Sequence, residues 1–72
     1  MSDAKLNKAN LSSAILRQSN LRNADFSQAN LSGADLSDAI LDQTSFRQAN
    51  LSGAIISAEQ LAVCFLDDTI LP

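Results

Sequence analysis

Bulky apolar residues recur at every fifth position from residue 6 to residue 56, without a change of register. They are Leu6, Leu11, Leu16, Leu21, Phe26, Leu31, Leu36, Leu41, Phe46, Leu51 and Ile56. A small residue lies two positions before each of them, which makes eleven consecutive five-residue units. These small residues are Ala4, Ala9, Ala14, Ser19, Ala24, Ala29, Ala34, Ala39, Thr44, Ala49 and Ala54. An unbroken short period of this kind is typical of a repeat architecture.

A period of five fits neither an α-helix nor a flat strand. Five residues turn through about 500° in an α-helix, so successive leucines would share no face. In a flat strand, an odd spacing places alternate leucines on opposite faces. All the bulky residues reach one interior if each unit turns the chain by about a quarter circle, so that four units close a square coil. The pattern therefore predicts a β-solenoid with stacked coils about 4.8 Å apart, joined by parallel main-chain hydrogen bonds.

An asparagine or aspartate precedes the bulky residue in many units. Five of these copies are Ala9-Asn10-Leu11, Ala24-Asp25-Phe26, Ala29-Asn30-Leu31, Ala34-Asp35-Leu36 and Ala49-Asn50-Leu51. This A(N/D)LXX motif resembles the repeat of pentapeptide repeat proteins, and the resemblance covers about residues 4 to 58. It implies a right-handed quadrilateral β-helix and a cyanobacterial or other bacterial source. At about 20 residues per coil, this segment predicts an all-β solenoid of about three coils.

A coil of about 20 residues predicts which residues lie above one another, because residues n and n+20 occupy equivalent positions. Leu6, Phe26 and Phe46 form one internal column, while Phe65 is off this register. The two phenylalanine rings can stack within that column. A second column points outward, and a structural ladder of stacked amides is preferred there over a recognition role. Its members are Asn10, Asn30 and Asn50.

The chain is predicted to have three parts: an N-terminal lead at residues 1–3, a repeat β-helix at residues 4–58, and a helical cap with a tail at residues 59–72. The pattern breaks at Glu59, which occupies a small position. Ser57-Ala58-Glu59-Gln60 has the sequence of a capping box, in which the Ser57 hydroxyl and the Gln60 side chain bond opposite main-chain amides. A short C-terminal capping α-helix should follow, extending to about Leu66 and covering the last coil with apolar side chains.

The amino end of the solenoid is expected to have an open edge, because only three residues precede the first repeat. We predict a weak homodimer in which two chains meet through their first coils, around Leu6 and Leu11. The alternative is that polar side chains blunt this edge and keep it solvated. Those side chains belong to Lys5, Asn7 and Lys8.

Three isoleucines depart from the motif, because they occupy outward positions where the family has asparagine or aspartate. They are Ile15, Ile40 and Ile55. Ile15 and Ile55 lie 40 residues apart, which places them on one face with Asp35 between them. Single exposed apolar residues are ordinary on protein surfaces. The other interpretation is a weak interaction surface formed by Ile15, Asp35, Ile55 and Ile40.

Enzyme chemistry needs several polar groups that converge in a pocket. The chain has no histidine, tyrosine or tryptophan, and its single cysteine, Cys64, is expected to be a buried and inert thiol. Asp35, Asp38 and Asp42 lie close enough in the predicted coils to hold a cation, although a solvated acidic face is the preferred interpretation. We therefore predict no catalytic residue, no metal site and no cofactor, and the chain is not expected to be an enzyme.

The charge of the repeat differs from that of the whole chain. Between residues 4 and 58 there are four acidic and five basic side chains, a net charge of plus one, whereas the whole chain has a net charge of −3. Some pentapeptide repeat proteins protect DNA gyrase by presenting an acidic rod shaped like a duplex, and the charge of this repeat argues against such mimicry. Direct nucleic-acid binding is not expected either, because the basic residues form no continuous strip.

The pattern and composition together favour a non-catalytic structural or protein-interaction module that presents rigid polar faces to a protein partner. The alternative is a DNA-mimic binder of a DNA-processing enzyme such as gyrase. No apolar run approaches a membrane-spanning length, and no signal-peptide pattern opens the chain. We therefore expect no membrane association and a cytoplasmic location.

Overall fold

A tight turn every five residues is the local feature from which the chain is built, in the computed structural model that describes residues 2–72. In these turns the N–H of the small residue donates to the carbonyl oxygen of the bulky residue three positions earlier. The distance is 3.1 Å from Ala9 to Leu6 and 3.0 Å from Ala34 to Leu31. The residue before the small one has a positive φ, for example 65° at Lys8. This combination is the geometry of a type II turn, which redirects the chain sharply.

Most of these left-handed positions are not glycine. Gly33 and Gly53 adopt the conformation, with φ of 70° and 68°. Between residues 2 and 72 the non-glycine examples are Asp3, Lys8, Ser13, Gln18, Asn23, Gln28, Asp38, Gln43, Gln48 and Asp68. A left-handed conformation costs a residue with a Cβ roughly 1–2 kcal/mol. The turns are therefore held by the stacking and packing around them and not by local preference alone.

Successive coils are joined by nine parallel bridges within residues 2–72, each between positions 20 residues apart. Every bridge is a single residue pair, so no longer strand is present in this part of the chain. A middle coil is bonded on both sides: Asn30 N–H donates to Ala9 O at 2.9 Å, and Leu31 N–H donates to Asn50 O at 2.8 Å. The stacking of residues n and n+20 is thus confirmed, and the coils form a solenoid-type repeat fold.

The bridged residues form four outward columns along the solenoid. The columns are Lys5, Asp25, Ser45 and Phe65; Asn10, Asn30, Asn50 and Ile70; Ile15, Asp35 and Ile55; and Asn20 and Ile40. Phe65 belongs to an outward column, which confirms that it is off the internal register. The molecule has principal extents of 20 × 19 × 19 Å, so the two columns of four residues, about 14 Å long at about 4.8 Å per coil, cross most of its height.

The interior is filled by the bulky and small residues of the repeat. Those that are buried are Leu21, Ala24, Phe26, Ala29, Leu31, Ala34, Leu36, Ala39, Leu41, Phe46, Ala49, Leu51 and Ala54. The rings of Phe26 and Phe46 lie 5.2 Å apart and 11° from parallel, so the predicted stacking is confirmed. Thr44 is also buried, and its hydroxyl donates to the carbonyl oxygen of Leu21 at 2.6 Å. Thr44, the polar member of the buried set among residues 2–72, is therefore satisfied.

The helix α1 spans Ala58–Leu61 and begins with the predicted capping box. The Gln60 N–H donates to the Ser57 hydroxyl at 3.1 Å, and the Ser57 N–H donates to Gln60 Oε1 at 2.9 Å. The predicted extension to about Leu66 is wrong, because the helix ends at Leu61, and that residue is partly buried and packs against the core. No helix among residues 2–72 is long and apolar enough to cross a membrane.

After α1 the chain returns to the five-residue register. Phe65 and Ile70 form bridges with residues 20 positions earlier, and Cys64 and Leu66 pack against the core. The acidic Glu59 cannot fill a small inward position, so a single side of the coil becomes helical and the pattern then resumes. The segment after residue 58 thus forms part of a further coil, where we predicted a helical cover.

Candidate interaction surface

The column of Ile15, Asp35 and Ile55, here called the isoleucine face, is joined by two consecutive bridges. Ile15 is 79% exposed and Ile55 is 57% exposed. With coils about 4.8 Å apart, the two isoleucines are separated by about 10 Å along the solenoid. Ile40 is 38% exposed and lies in a different column, with Asn20. The structure therefore brings together three of the four residues proposed from the sequence, while the fourth lies on another side.

The column of Asn10, Asn30 and Asn50, here called the asparagine column, shows what the polar motif position does. Each Oδ1 accepts a hydrogen bond from the N–H two residues later, which is an Asx turn. The distances are 3.2 Å for Asn10 with Ser12, 3.0 Å for Asn30 with Ser32, and 2.9 Å for Asn50 with Ser52. The same bond joins Asn20 with Arg22, Asp25 with Ser27, and Asp35 with Ser37. The motif residue therefore stabilises its own turn.

The predicted ladder of amides does not form bonds from coil to coil in the asparagine column, where each Oδ1 instead accepts a hydrogen bond from its own turn. A bond between side-chain amides does form elsewhere: Gln28 Nε2 donates to Gln48 Oε1 at 2.8 Å. These glutamines are also 20 residues apart, at the left-handed turn positions. Stacked amides thus contribute to the solenoid, but at another position of the repeat.

Isoleucine cannot form the Asx turn, and the missing hydrogen bond is replaced in only one of the three isoleucine units. At Ile55 the N–H two residues later, that of Ser57, is bonded by Gln60 Oε1 at 2.9 Å. At Ile15 the equivalent N–H belongs to Arg17, and within residues 2–72 no protein acceptor takes it. The same holds for Ile40 and the N–H of Asp42. Ile15 therefore gives up a turn-stabilising bond and exposes apolar surface.

Asp35 presents a fixed negative charge between the two isoleucines. Its Oδ1 accepts hydrogen bonds from the N–H and the hydroxyl of Ser37, at 3.0 Å and 2.7 Å. Arg17 Nε lies 3.6 Å from its Oδ2. The Ser37 hydrogen bonds hold the pKa of Asp35 below its usual value against an opposing effect of burial, and the charge of Arg17 lowers it by a smaller amount. The isoleucine face is thus two apolar side chains on either side of an oriented carboxylate.

A cleft of about 450 Å³ lies where α1 leaves the solenoid, and Ile55 forms part of its wall. The other lining residues are Ser37, Asp38, Ile56, Ser57, Glu59 and Gln60. In a regular coil the carbonyl oxygen of a small residue accepts from the N–H 21 residues later, as Ala9 does from Asn30. At Ala39 the side chain of Gln60 takes this place, because its Nε2 donates to the carbonyl oxygen of Ala39 at 3.0 Å and also to that of Leu36 at 2.7 Å. This cleft could not be predicted from the sequence, because its position depends on where a helical turn replaces one side of a coil.

The other candidates from the sequence lie elsewhere. Leu6 and Leu11 are partly buried and pack against the core, and a homodimer through their coil stays a prediction. Within residues 2–72 no group of three acidic, cysteine or histidine side chains is placed to hold a metal ion. Cys64 is partly buried, and its thiol donates to the carbonyl oxygen of Gln60 at 3.2 Å. Burial, with a smaller effect of Asp42, raises the pKa of the Cys64 thiol to about 11, so the nucleophilic thiolate is disfavoured.

Comparison with known proteins agrees with the repeat geometry. A family model for pentapeptide repeats matches eight copies, over residues 1–38 and 29–58. The chain belongs to the pentapeptide-repeat family. Proteins of this family are generally non-enzymatic structural modules. The family match ends at residue 58, whereas the bridges of this pentapeptide-repeat protein continue to Ile70.

A similar solved structure is the crystal structure of a pentapeptide repeat protein from Nostoc Pcc 7120. It is 30% identical in sequence, covers 93% of this chain and superimposes with a TM-score of 0.50. The present chain spans 64% of the length of that protein. The search of curated proteins found no match. The comparisons therefore establish the family and the type of fold.

Proposed function

We propose that this pentapeptide-repeat protein is a non-catalytic protein-interaction module and that the isoleucine face is its contact surface. The observation that carries the proposal is Ile15, which is 79% exposed where the motif residue would form an Asx turn. Loss of such a hydrogen bond costs about 0.5–1.5 kcal/mol. A residue that lowers stability and exposes apolar surface, with no structural compensation, is typical of a site kept for contact with another molecule.

We infer that the coils form a right-handed quadrilateral β-helix, as in the family, with rigid polar sides. Rigidity supports the proposed function, because a surface that is ordered before binding loses little conformational entropy on binding. The middle coil is bonded to a coil on each side, and Asp35 is oriented by Ser37. The backbone of the face and the Asp35 carboxylate are therefore held in one arrangement. The cytoplasmic location expected from the sequence stays a prediction.

The experiment compares the tagged wild-type chain with its variants in the capture of partner proteins from a lysate of the source organism. The double variant Ile15→Asn and Ile55→Asn restores the motif residue and should abolish specific capture. Ile70→Asn is the matched control, because Ile70 is as exposed as Ile55, at 57%, but lies in the asparagine column. It should leave capture intact. Capture that survives in the double variant, or that is lost equally in the control, would overturn the proposal.

The gyrase alternative stays a prediction from the family resemblance. A DNA supercoiling assay with and without quinolone tests it with the same proteins. Under the proposed function, addition of the chain changes neither DNA supercoiling by gyrase nor the inhibition of supercoiling by quinolone. Protection of gyrase by the wild-type chain would replace the general interaction module with the DNA-mimic function.

A further inference from the structure

We propose that the isoleucine face and the adjoining cleft together bind a short basic and apolar segment of a protein partner. An apolar side chain of the segment covers Ile55, and a lysine or arginine side chain enters the cleft near Asp38 and Glu59. The inference rests on the proposed function and adds the chemistry of the partner. It also extends the contact surface to residues that the sequence did not single out.

The two parts form one continuous surface because Ile55 belongs to both. Ile55 is bridged to Asp35 in the isoleucine face, and it lines the cleft beside Ile56. A segment that covers Ile55 therefore also lies against the cleft. This continuity provides an apolar contact and a set of carboxylates within reach of a single short segment.

The carboxylates of the cleft have no cationic partner among the residues that the structure describes. Within residues 2–72 the two ion pairs are Arg17 with Asp35 and Arg47 with Asp67, so neither Asp38 nor Glu59 is paired. Gln60 Nε2 is already used by two main-chain carbonyl oxygens. The carboxylates are thus the charged groups of the cleft that a ligand can pair with, and a cation complements them.

The charge distribution along the chain adds to the negative electrostatic potential at the cleft. From residue 38 to residue 72 there are five acidic side chains and one basic side chain, a net charge of −4. That one basic residue is Arg47, which bonds Asp67 at 3.2 Å and lies 4.7 Å from the ring centroid of Phe65. It is therefore not free to neutralise the cleft. A basic segment would be attracted to this half of the molecule, and salt would weaken the attraction.

The size of the surface favours a short segment over a second folded domain. The molecule is only about 20 Å across, so one side offers less than the about 800 Å² per partner of a standard stable interface. A cleft of about 450 Å³ suits one long side chain better than an enclosed small molecule, because its residues Asp38, Ser57 and Glu59 are exposed. Binding of the segment should accordingly be weak, and it should be selective for positively charged side chains.

The test is an NMR titration of the full ¹⁵N-labelled chain with a blocked tetrapeptide of alternating leucine and arginine. The peptide should shift the amide resonances of Ile55, Ile56 and Gln60. The double variant Asp38→Asn and Glu59→Gln should raise the dissociation constant at least about tenfold. The matched control Asp42→Asn and Asp68→Asn removes the same charge outside the cleft, and it should change the constant by less than about twofold.

Several outcomes would overturn the inference. The first is an equal rise of the dissociation constant in both double variants. The second is an equal shift of the amide resonances with a peptide of leucine and glutamate. The third is a set of shifts centred on another column. Shifts at Ile55 on concentrating the chain without peptide, absent from the cleft variant, would instead assign the surface to a second copy. If the peptide fails to bind while capture still depends on Ile15 and Ile55, the inference fails and the proposed function stands.

Discussion

The asparagine column and the isoleucine face occupy equivalent positions of the repeat but have different structural roles. Each asparagine ties its side chain to the following turn, at 2.9–3.2 Å. Ile15 makes no such bond and leaves most of its side chain in water. The inward residues beneath both columns are the same alternation of bulky and small side chains. The difference teaches that the solenoid tolerates a weaker turn on one side, because the core and the coil-to-coil bonds hold the chain in place.

The largest expected effect comes from the shared core. Phe46→Ala should lower the free energy of unfolding by about 3–5 kcal/mol, because it removes one of two stacked rings and leaves a cavity. Phe46→Leu is the control, since leucine fills most equivalent inward positions, and it should cost less than about 1.5 kcal/mol. Urea unfolding followed by circular dichroism measures both. Equal losses would show that the core is not packed as described.

A smaller loss is expected where Gln60 compensates for Ile55. Gln60→Ala should lower the free energy of unfolding by about 1–3 kcal/mol, because the capping box and two bonds to main-chain carbonyls are lost together. Gln60→Glu keeps the acceptor for Ser57 and loses the donor for Leu36 and Ala39. Its stability should fall between those of wild type and Gln60→Ala. A stability equal to wild type for both variants would contradict this role.

Making the asparagine column resemble the isoleucine face tests the comparison directly. Asn30→Ile removes the bond to Ser32 and should lower the free energy of unfolding by about 0.5–1.5 kcal/mol. Asn30→Asp keeps an acceptor oxygen and serves as the control. Denaturant titration of both variants gives the difference. If isoleucine is tolerated at residue 30 without any loss, the Asx turn is not what the motif residue provides.

The smallest effect is a dependence on pH at Asp35. Its pKa is lowered by the Ser37 hydrogen bonds and then by Arg17, so its contribution to stability is present above the pKa of the unfolded state, about 3.9. That contribution is lost as the pH falls from about 4 through the lower pKa of the folded state. Asp35→Asn should therefore flatten the stability profile in this acidic range. A profile parallel to that of wild type would contradict the assignment.

Much of the fold could be predicted from the sequence, because a five-residue period admits few arrangements. The shared column of Phe26 and Phe46 follows from their spacing, and the capping box follows from the residue types at Ser57 and Gln60; the structure shows both, with the two rings stacked. The helix was predicted too long because Glu59 breaks the pattern at one position. Leu61, Leu66 and Leu71 nevertheless continue the bulky spacing. One interruption was thus mistaken for the end of the repeat.

The candidate site was less predictable than the fold. The shared column of Ile15 and Ile55 follows from their spacing of 40 residues. The cleft does not, because it depends on the local geometry of α1 and on the side chain of Gln60. The use of the asparagines was also misjudged, since an amide can bond either a neighbouring coil or its own turn. Only the positions of the atoms distinguish these two outcomes.

The central claim is that Ile15 weakens the turn to which it belongs and that its side chain serves to contact a partner protein. Urea unfolding of Ile15→Asn against wild type tests it most directly. The variant can form an Asx turn with the N–H of Arg17, so its free energy of unfolding should rise by about 0.5–1.5 kcal/mol. A variant that is equally or less stable than wild type would contradict the claim, because Ile15 would then be structural.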